Sequence, residues 1–459
     1  MPSFYIENFG CRATQADGAA IEREFLNQGL GRATRESAQF VVLNTCAVTA
    51  AAEQDARASI RRIRRENPGC EVIVTGCYAQ RAPREIAALP GVSKVIGNSH
   101  KHNLARIALG TQSEMDSSKV GSFVPLNNLT RRDAFEDSIF VSDIFAHTEL
   151  LAAPVFDSAD ERTRPNLKVQ DGCNNRCSFC IIPSVRGRSR SLALEEVLRN
   201  VDQLVVTGYR EVVISGINLG RWGRDLRGTS ESSTFEQLVR AILDETSLEK
   251  LRISSVEPMD WSDSFIRLMA ESPRIAKHAH VPMQSASDAV LRRMHRKYRP
   301  WHYREKVEKI RSAMPSAAIG ADVMVGFPGE TDSEFEETQR MVEDRPFTYL
   351  HVFTFSARPG TAAATMPNQV PVRVARERNR ILRELAAEKK QAFMRSFVGK
   401  QLTAITLSTV NESADGAGTE ALTDNYLKMT IHGRHQSNRL FRTVIEGVEG
   451  GELIARVRS

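Results

Sequence analysis

Short apolar runs alternate with longer amphipathic stretches over the first 110 residues of the chain. The short runs have the length of strands, and the stretches between them have the apolar spacing of helices. The predicted strands lie at 4–6, 40–43, 72–74 and 92–96, and the predicted helices lie at 16–27, 53–66 and 83–89. This alternation predicts a parallel sheet in a doubly wound α/β layer, in which ligands collect at the carboxyl ends of the strands.

The rhythm is lost at residues 111–163, which are rich in Ser, Asp, Asn and Thr and predict an irregular connection with a short strand or two. The alternation then resumes with six apolar runs separated by amphipathic stretches. These runs lie at 167–170, 212–215, 251–256, 280–283, 318–325 and 350–355. Six βα units predict an open, partial barrel whose chemistry belongs at the carboxyl ends of its strands.

From residue 373 on, the chain changes character twice. Residues 373–397 predict one long basic helix. Apolar and polar residues then alternate at 402–410, 421–432 and 440–457, with glycines at the turns, which predicts a small antiparallel β-barrel. We therefore predict four segments: a doubly wound N-terminal domain at 1–112, a linker at 113–158, a partial (βα)6 barrel at 159–396 and a β-barrel module at 397–459.

Composition excludes several classes of protein. The 459 residues are 41% hydrophobic and 26% charged, as in folded globular chains and unlike disordered or fibrous ones. No uncharged apolar run approaches the roughly 18 residues that a membrane helix needs, and Glu7 interrupts the region where a signal peptide would be apolar. We therefore expect a cytoplasmic protein with no membrane partner. Seven cysteines are too few for a secreted disulfide framework, so clustered cysteines predict metal ligands or catalytic thiols.

Three cysteines follow the first strand of the predicted partial barrel. Cys173, Cys177 and Cys180 stand four and three residues apart on one short loop. Zinc usually takes four ligands in two short pairs, and no fourth Cys or His follows closely here. Three thiolates suit a 4Fe-4S cluster whose fourth iron stays open for a substrate, although three structural thiols in a buried turn would have the same spacing.

Three further cysteines are distant in sequence but follow the same kind of element. Cys11, Cys46 and Cys77 each come just after a predicted strand of the N-terminal sheet. The carboxyl ends of parallel strands meet at one edge, so these thiols are predicted to converge, and glycine beside two of them permits close approach of a bulky cofactor. Alternatively, each thiol is a small buried residue at a strand end. Cys70 lies in a turn and is predicted to be a bystander thiol.

Together these motifs resemble the methylthiotransferase family of radical S-adenosylmethionine (SAM) enzymes. The resemblance covers essentially the full length, and three stretches are signatures of it: Asn44-Thr45-Cys46-Ala47-Val48-Thr49, Thr75-Gly76-Cys77-Tyr78-Ala79-Gln80 and Gln170-Asp171-Gly172-Cys173-Asn174-Asn175. That family has an N-terminal α/β domain with three cysteines, a radical SAM core, and a C-terminal TRAM β-barrel that binds RNA. The chain departs from the family at Thr14, where Asn is common, and this affects a neighbour of Cys11 but not the ligand itself.

The resemblance implies two 4Fe-4S clusters and SAM as cofactors. Cys173, Cys177 and Cys180 would hold the cluster that binds SAM, and Cys11, Cys46 and Cys77 would hold an auxiliary cluster with the sulfur to be inserted. The residues expected to line the SAM pocket are Phe179, Ser215, Gly216, Asn218, Glu257, Gln284, Ser285 and Gly326. No side chain beyond the cluster ligands is expected to be catalytic, because the cofactors must supply the radical that attacks an unactivated aromatic C–H bond.

The resemblance is strongest to the branch of the family that methylthiolates C2 of N6-threonylcarbamoyladenosine at position 37 of tRNA, next to the anticodon. Residues 252–260, 293–298 and 351–361 are most like that branch. Other branches act on N6-isopentenyladenosine in tRNA or on an aspartate of a ribosomal protein, and these stay alternatives. The implied partners are the tRNA anticodon stem-loop and an electron donor such as flavodoxin or ferredoxin, while nothing in the sequence indicates the sulfur donor.

The charge distribution agrees with a polyanionic partner. The net charge is +6, and residues 371–400 hold nine Lys or Arg against three Glu. A basic segment of this kind binds phosphates in a salt-dependent way, although a solvated helix face has a similar composition. The alternative from a different class is a non-catalytic RNA-binding protein whose cysteines hold a structural metal.

Overall fold

The computed structural model describes residues 2–110, 136–147, 150, 163–226, 234–413 and 416–458. The chain divides into two compact units: the first comprises Met1–Val155, Asp171–Asn175 and Cys180–Arg190, and the second comprises Phe156–Gln170, Arg176–Phe179 and Ser191–Ser459. The domain limits derived from the sequence stay a prediction. Most of the predicted linker, at 113–135, 148–149 and 151–158, lies outside the described residues.

A six-stranded parallel sheet forms the first unit. Its strands are β1 (Ser3–Asn8), β2 (Gly31–Arg32), β3 (Phe40–Thr45), β4 (Glu71–Gly76), β5 (Val92–Gly97) and β6 (Ile139–Phe140), in the order β2-β1-β3-β4-β5-β6. Its helices are α1 (Arg12–Asn27), α2 (Ala50–Glu66), α3 (Cys77–Arg81), α4 (Pro83–Ala87) and α5 (Leu104–Leu109). The predicted doubly wound sheet is confirmed. Two of its strands have only two residues each: β2, which was not predicted, and β6, which lies within 111–163, where a short strand or two was expected.

Burial on both faces explains why the strands of this sheet have continuous apolar runs. Val41 and Leu43 pack in one cluster with Ile60 of α2, whereas Val42 packs in a separate cluster with Phe25 of α1. All three β3 side chains are fully buried. Helices therefore cover both faces of the sheet, so only the carboxyl ends of the strands and the loops that follow them are available for a site.

The second unit contains the predicted partial barrel as two sheets. The strands are β7 (Asn166–Asp171), β8 (Arg190–Ser191), β9 (Glu211–Gly216), β10 (Lys250–Ile253), β11 (His278–His280), β12 (Ala318–Val325) and β13 (Tyr349–Thr354). One sheet has the order β10-β9-β7-β8, and the other has the order β11-β12-β13. The single bridges Leu251↔Ile275 and Ser255↔His280 connect the region of β10 with that of β11. The open α/β barrel is confirmed.

The remaining helices include the long basic one. They are α6 (Ile182–Arg186), which belongs to the first unit, and α7 (Leu194–Val206), α8 (Phe235–Glu245), α9 (Asp263–Glu271), α10 (Asp288–Arg293), α11 (Pro300–Ala313), α12 (Asp332–Asp344) and α13 (Val372–Arg395). The predicted helix at 373–397 corresponds to α13. Across the described ranges, no helix has both the length and the apolar character needed to cross a membrane.

Two predicted strands of the partial barrel had the wrong limits. The run at 280–283 was expected to be a strand, but β11 occupies His278–His280. Pro282 has no N–H group to donate to a neighbouring strand, so regular pairing cannot continue through it. The run at 251–256 forms a strand only as far as Ile253, and Ser255 then makes a single bridge.

The C-terminal module is a closed five-stranded barrel. Its strands are β14 (Gln401–Ser413), β15 (Gly416–Thr423), β16 (Lys428–His432), β17 (Leu440–Glu449) and β18 (Glu452–Val457), in the order β14-β15-β16-β18-β17. The prediction of a small β-barrel is confirmed, with the difference that β16 and β18 pair in parallel. Met394 and Phe397, at the end of α13, belong to the core of this barrel.

The turn between β15 and β16 anchors the module at the amino-terminal ends of β9 and β10. Arg252 of β10 is buried; it donates from Nε to Glu211 Oε1 (2.7 Å), from Nη2 to the carbonyl of Thr423 (3.1 Å) and from Nη1 to the carbonyl of Asp424 (3.1 Å). The ring of Tyr426 stacks on His278, with the centroids 4.4 Å apart. The module is therefore attached at the opposite end of these strands from the predicted SAM pocket.

Candidate functional site

The first unit brings three cysteines to the carboxyl ends of adjacent strands. Cys11 comes soon after β1, Cys46 directly follows β3, and Cys77 directly follows β4 and begins α3. Burial, with smaller contributions from the neighbouring thiols of Cys77 and Cys11, raises the pKa of Cys46 to about 12. The structure thus brings these three side chains together, and their role as cluster ligands stays a prediction.

Two glycines allow the strand ends to approach closely. Gly10 has φ +103°, and a Cβ atom on it would lie 2.7 Å from Cys46 Cβ and 2.9 Å from Cys46 Sγ. Gly76 has φ +97°, and its Cβ atom would lie 2.3 Å from the carbonyl oxygen of Thr45. The sequence suggested that glycine makes room here for a cofactor. In the structure, both glycines make room for the neighbouring strand end, which sets the spacing of the thiols.

A buried network of charges lies beside these cysteines, and sequence reasoning missed it. Arg186 donates to both oxygens of Asp171 (3.0 Å each) and to Asp17 Oδ2 (3.0 Å), which also accepts from Lys101 Nζ (2.9 Å). Burial lowers the pKa of Lys101, and its carboxylate partner Asp17 opposes that shift. Arg186 also interacts electrostatically with Cys77 and Cys11, so a permanent cation lies close to these two cysteines.

Asn98 directly contacts one of the converging thiols. Its Nδ2 atom lies 3.7 Å from Cys77 Sγ and donates to the carbonyl of Val185 at 2.7 Å. Cys77 and Asn98 are both buried. An amide donor of this kind stabilises a thiolate or a sulfur-ligated metal centre.

The loop that follows β7 holds the other three cysteines. Cys173 and Cys180 belong to the first unit and Cys177 to the second, and all three are of intermediate exposure. Cys173 Sγ accepts from the backbone N–H of Asn175 at 3.4 Å. Arg296 Nη1 donates to Cys177 Sγ at 3.3 Å. Partly exposed cysteines are the type of donor that an iron–sulfur cluster requires.

Arg296 also connects Cys177 with one of the predicted SAM residues. Its Nη2 atom donates to the carboxylate of Glu257, which follows β10. Arg296 is almost completely buried, and its guanidinium lies 5.0 Å from the ring centroid of Tyr298. The sequence stretch 293–298 had been interpreted only as a feature of a family branch, so the contact between Arg296 and the thiol was not predicted.

Three predicted SAM residues lie at the end of β9. Ser215 and Gly216 are the last residues of the strand, and the backbone N–H of Asn218 donates to the side chain of Gln170 at 2.7 Å. A Cβ atom on Gly216 would lie 2.9 Å from Gln170 Cβ. Ser215 Oγ is buried and, among the described residues, has no hydrogen-bond partner. A buried polar atom of this kind is expected where a polar ligand binds.

The other predicted SAM residues follow β7, β11 and β12. The ring of Phe179 lies 6.4 Å from that of Phe327. Gln284 has φ +62°, and its Oε1 atom is buried without a hydrogen-bond partner in the described part of the chain. Ser285 Oγ lies 3.2 Å from Thr338 Oγ1, so this hydroxyl already has a partner within the protein.

Gly326 is a packing position as well as a predicted SAM contact. It has φ +73°, and a Cβ atom on it would lie 2.5 Å from Ala375 Cβ of α13. Its backbone N–H donates to Glu330 Oε2 at 2.7 Å, and Arg378 of α13 donates to the same oxygen at 2.6 Å. Glu330 and Arg378 therefore determine where this turn lies, although neither belonged to the predicted site.

Two protein families match the chain. Residues 167–342 match the Radical SAM superfamily, and residues 3–97 match the Uncharacterized protein family UPF0004. The first match covers the partial barrel from β7 into α12, including the Cys173 loop, and the second covers β1 to β5 of the sheet that holds Cys11, Cys46 and Cys77.

The chain is similar to named relatives over most of its length. It is 35% identical over 434 residues to the threonylcarbamoyladenosine tRNA methylthiotransferase MtaB of Bacillus subtilis (strain 168), covering 94% of this chain and 91% of that one. The enzyme of the same name from Aquifex aeolicus (strain VF5) is 34% identical over 442 residues, with 96% and 99% covered. Among solved structures, the radical SAM methyltransferase TsrM from Kitasatospora setae, with tryptophan and a SAM analogue bound, has a TM-score of 0.53 over 79% of this chain and 74% of that chain. At 13% identity, this last similarity concerns the fold alone.

Proposed function

We propose, since the chain belongs to the methylthiotransferase family of radical SAM enzymes, that it methylthiolates C2 of N6-threonylcarbamoyladenosine at position 37 of tRNA. One observation supports the proposal most strongly: the chain is 34–35% identical, over more than nine-tenths of both sequences, to two threonylcarbamoyladenosine tRNA methylthiotransferases. The tRNA anticodon stem-loop would be the partner, and the basic helix α13 offers it a surface. A cytoplasmic location and a flavodoxin or ferredoxin electron donor belong to the same proposal.

The six cysteines at the strand ends would hold two 4Fe-4S clusters. Cys11, Cys46 and Cys77 would bind the auxiliary cluster, and Cys173, Cys177 and Cys180 would bind the cluster for SAM. Three ligands for four irons leave one iron of each cluster without a protein ligand. With SAM, the clusters supply the radical chemistry that an unactivated aromatic C–H bond requires.

The protein's own residues hold and orient these groups. Arg296 donates to Cys177 and pairs with Glu257, so it links a cluster ligand to a strand end that lines the SAM pocket. Ser215 and Gln284 offer buried polar atoms to SAM. Arg186 would compensate negative charge beside the auxiliary cysteines, because a cluster on three thiolates has a net negative charge in a buried region.

Mass spectrometry of tRNA nucleosides tests the proposed function. In a strain that lacks the gene, 2-methylthio-N6-threonylcarbamoyladenosine is expected to disappear and its unmethylthiolated precursor to accumulate. The wild-type gene and a Cys70→Ser variant should restore the product, whereas a Cys77→Ser variant should not. Cys70 is a matched control because it is a thiol of the same unit that lies outside both sets of three.

Other outcomes would contradict the proposal. Loss of the isopentenyl analogue, with the threonylcarbamoyl product unchanged, would assign the chain to the other tRNA branch. Unchanged tRNA together with loss of methylthio-aspartate from a ribosomal protein would exclude tRNA as the substrate. Restoration of the product by the Cys77→Ser variant would exclude Cys77 as a required cluster ligand.

A further inference from the structure

Two histidines and an aspartate lie together on one face of the sheet β11-β12-β13. His280 ends β11, Asp322 lies in the middle of β12, and His351 pairs with Asp322 in the register of β12 and β13. On the opposite face of β12, Ile319 and Ala321 are fully buried. The three polar side chains therefore lie on the less enclosed face of the sheet, and none of them belongs to the predicted cluster or SAM sites.

Their ligand atoms are close to one another. One nitrogen of each histidine and one carboxylate oxygen of Asp322 all lie within 4.8 Å of each other. His280 Nε2 is 3.2 Å from Asp322 Oδ1, and the rings of His280 and His351 stack with centroids 5.4 Å apart and an interplanar angle of 14°. Of all His, Cys, Asp and Glu side chains in the described ranges, this is the only set of three with such spacing.

The contact between His280 and Asp322 does not have the geometry of a hydrogen bond. His280 Nε2 is enclosed and, within the described part of the chain, has no hydrogen-bond partner, although a carboxylate oxygen lies 3.2 Å away. Such a contact occurs where an imidazole nitrogen and a carboxylate oxygen both point towards a third position and not towards each other. Because a buried polar atom without a partner is costly, its presence calls for an ion or another group at that point.

The contact of His280 Nδ1 with Tyr349 indicates which nitrogen of the His280 ring is available to bind an ion. Tyr349 Oη lies 3.3 Å from His280 Nδ1 and 2.7 Å from His278 Nε2. When Nδ1–H of His280 donates to Tyr349, the lone pair of Nε2 is left on the side of Asp322. Two acceptors at 3.2 Å repel each other unless a cation lies between them. A histidine ligand whose other nitrogen is held by a neighbouring oxygen is the usual arrangement around protein-bound metals.

We propose that His280, Asp322 and His351 bind a Zn²⁺ ion, with Tyr349 orienting His280. Two imidazoles and one carboxylate form the ligand set of an open zinc site, in which the fourth position takes water or an oxygen atom of a bound substrate. This ligand set differs from both sets of cysteines, because all three of its ligands are nitrogen or oxygen donors and none is a thiol.

Metal analysis of the anaerobically purified holoenzyme tests the proposal without an activity assay. After equilibration with Zn²⁺ and removal of the unbound metal, the protein is expected to retain about one zinc per chain in addition to its iron. X-ray absorption at the zinc edge should show nitrogen or oxygen ligands at about 2.0–2.1 Å and no sulfur shell near 2.3 Å. Absence of retained zinc, or zinc with sulfur ligands, would overturn the proposal.

Variants show whether the retained zinc occupies this site. Asp322→Asn and His351→Gln should each abolish zinc retention without changing the iron content or the circular dichroism spectrum, and His351 is exposed enough to be replaced without disturbing the core. Tyr349→Phe should weaken zinc binding roughly 10- to 100-fold. The control is His432→Gln, since His432 also faces a carboxylate, Glu446 at 3.3 Å, but no third ligand completes a set with it among the described residues.

The variant results separate this inference from the proposed function. Full zinc retention in both Asp322→Asn and His351→Gln would overturn the site, even if tRNA is methylthiolated. Loss of zinc in both, with retention in His432→Gln, would support the site even if the nucleoside analysis assigned another substrate to the enzyme.

Discussion

A single glycine controls the spacing of two predicted ligands of the auxiliary cluster. In Gly10→Ala, the new Cβ atom would lie 2.7 Å from Cys46 Cβ, so Cys46 would have to move. We expect this variant to lose the auxiliary cluster and to fall from about eight to about four irons per chain. The iron content and the Mössbauer spectrum of anaerobically reconstituted protein would measure the loss.

Gly29→Ala is the matched control for this substitution. Gly29 also has positive φ, +82°, but beyond its two chain neighbours no atom of the described residues lies within 4 Å of the position of a new Cβ. Both variants therefore incur the backbone strain of about 1–2 kcal/mol, and only Gly10→Ala also displaces a cysteine. If the two variants kept the same iron content, the close approach of Gly10 to Cys46 would have no role in cluster binding.

Arg296 is expected to tune the cluster held by the Cys173 loop. Its guanidinium donates to Cys177 Sγ at 3.3 Å, and such bonds stabilise the reduced, more negative cluster. Arg296→Met removes this donor and leaves Glu257 without its cation, and both changes disfavour reduction. The reduction potential should fall by on the order of 60 mV, equivalent to about 1.4 kcal/mol for one electron. A redox titration followed by electron paramagnetic resonance measures this shift.

Arg292→Met serves as the control for the redox experiment. Arg292 belongs to the same helix region but is exposed, and its partner is Asp288. Its removal should leave the potential unchanged. An equal shift in both variants would indicate a general effect of net charge instead of the contact with Cys177.

At the scale of residues, the sequence predicted the positions of the candidate cluster cysteines better than it predicted the charged residues that surround them. The placement of the cysteines could be predicted because three form one motif and three follow recognisable strands. Lys101 and Arg186 could not be found in this way, because nothing in the sequence of their own segments indicates that they are buried beside the cysteines. Their burial depends on Asp17, which is 84 and 169 residues away in the chain.

At the scale of elements, the turn after β12 depends on an ion pair with α13. Arg378 and Glu330 are both buried, and Arg378→Met would leave the carboxylate with only the N–H of Gly326. Breaking a buried pair from one side costs about 3–5 kcal/mol. We expect a loss of that size in the free energy of unfolding of the second unit. Chemical denaturation followed by tryptophan fluorescence reports on this unit, because all three tryptophans lie in it.

Arg380 of the same helix provides the control for this loss, and the pKa of Glu330 determines how the loss depends on pH. Arg380 is exposed and pairs with Glu377 and Glu384, so Arg380→Met should cost much less stability than Arg378→Met. Burial raises the pKa of Glu330, and without Arg378 the protonated carboxyl is favoured still more in the folded state. The defect should therefore grow as the pH rises and diminish in acid. Equal losses in the two variants, or a pH-independent loss, would contradict this assignment.

The sequence predicted the existence of helices and strands with strong periodicity well. It predicted their first and last residues less well. The strand at 318–325 occurs with the predicted limits, because its apolar run is long and buried. The expected strand at 280–283 was displaced because an apolar run was given more weight than Pro282. The two-residue strands β2 and β8 could not be predicted, since they consist of backbone pairing at sheet edges and have no periodic pattern. For β6, the sequence predicted only that a short strand or two would occur somewhere in 111–163.

At the scale of the whole molecule, the attachment of the C-terminal module cannot be predicted from local sequence patterns. The stretch at 252–260 resembles one branch of the family. In the structure, Arg252 of this stretch attaches the C-terminal module to the partial barrel. It joins Glu211 to the turn that contains Thr423 and Asp424, more than 170 residues later in the chain. Such pairing depends on two folded parts meeting and has no signature in either segment alone.

Arg252→Met tests this attachment. Glu211 would stay buried with only Arg164, 3.8 Å away, and the carbonyls of Thr423 and Asp424 would lose their donor. We expect a loss of about 3 kcal/mol and faster hydrogen exchange in the β15–β16 turn, while exchange in β12 stays slow. Arg210→Met is the control, because its pair with Glu249 is exposed. If exchange in the turn were equally slow in both variants, the module would be held by contacts other than Arg252, with the stacking of Tyr426 on His278 as the next to test.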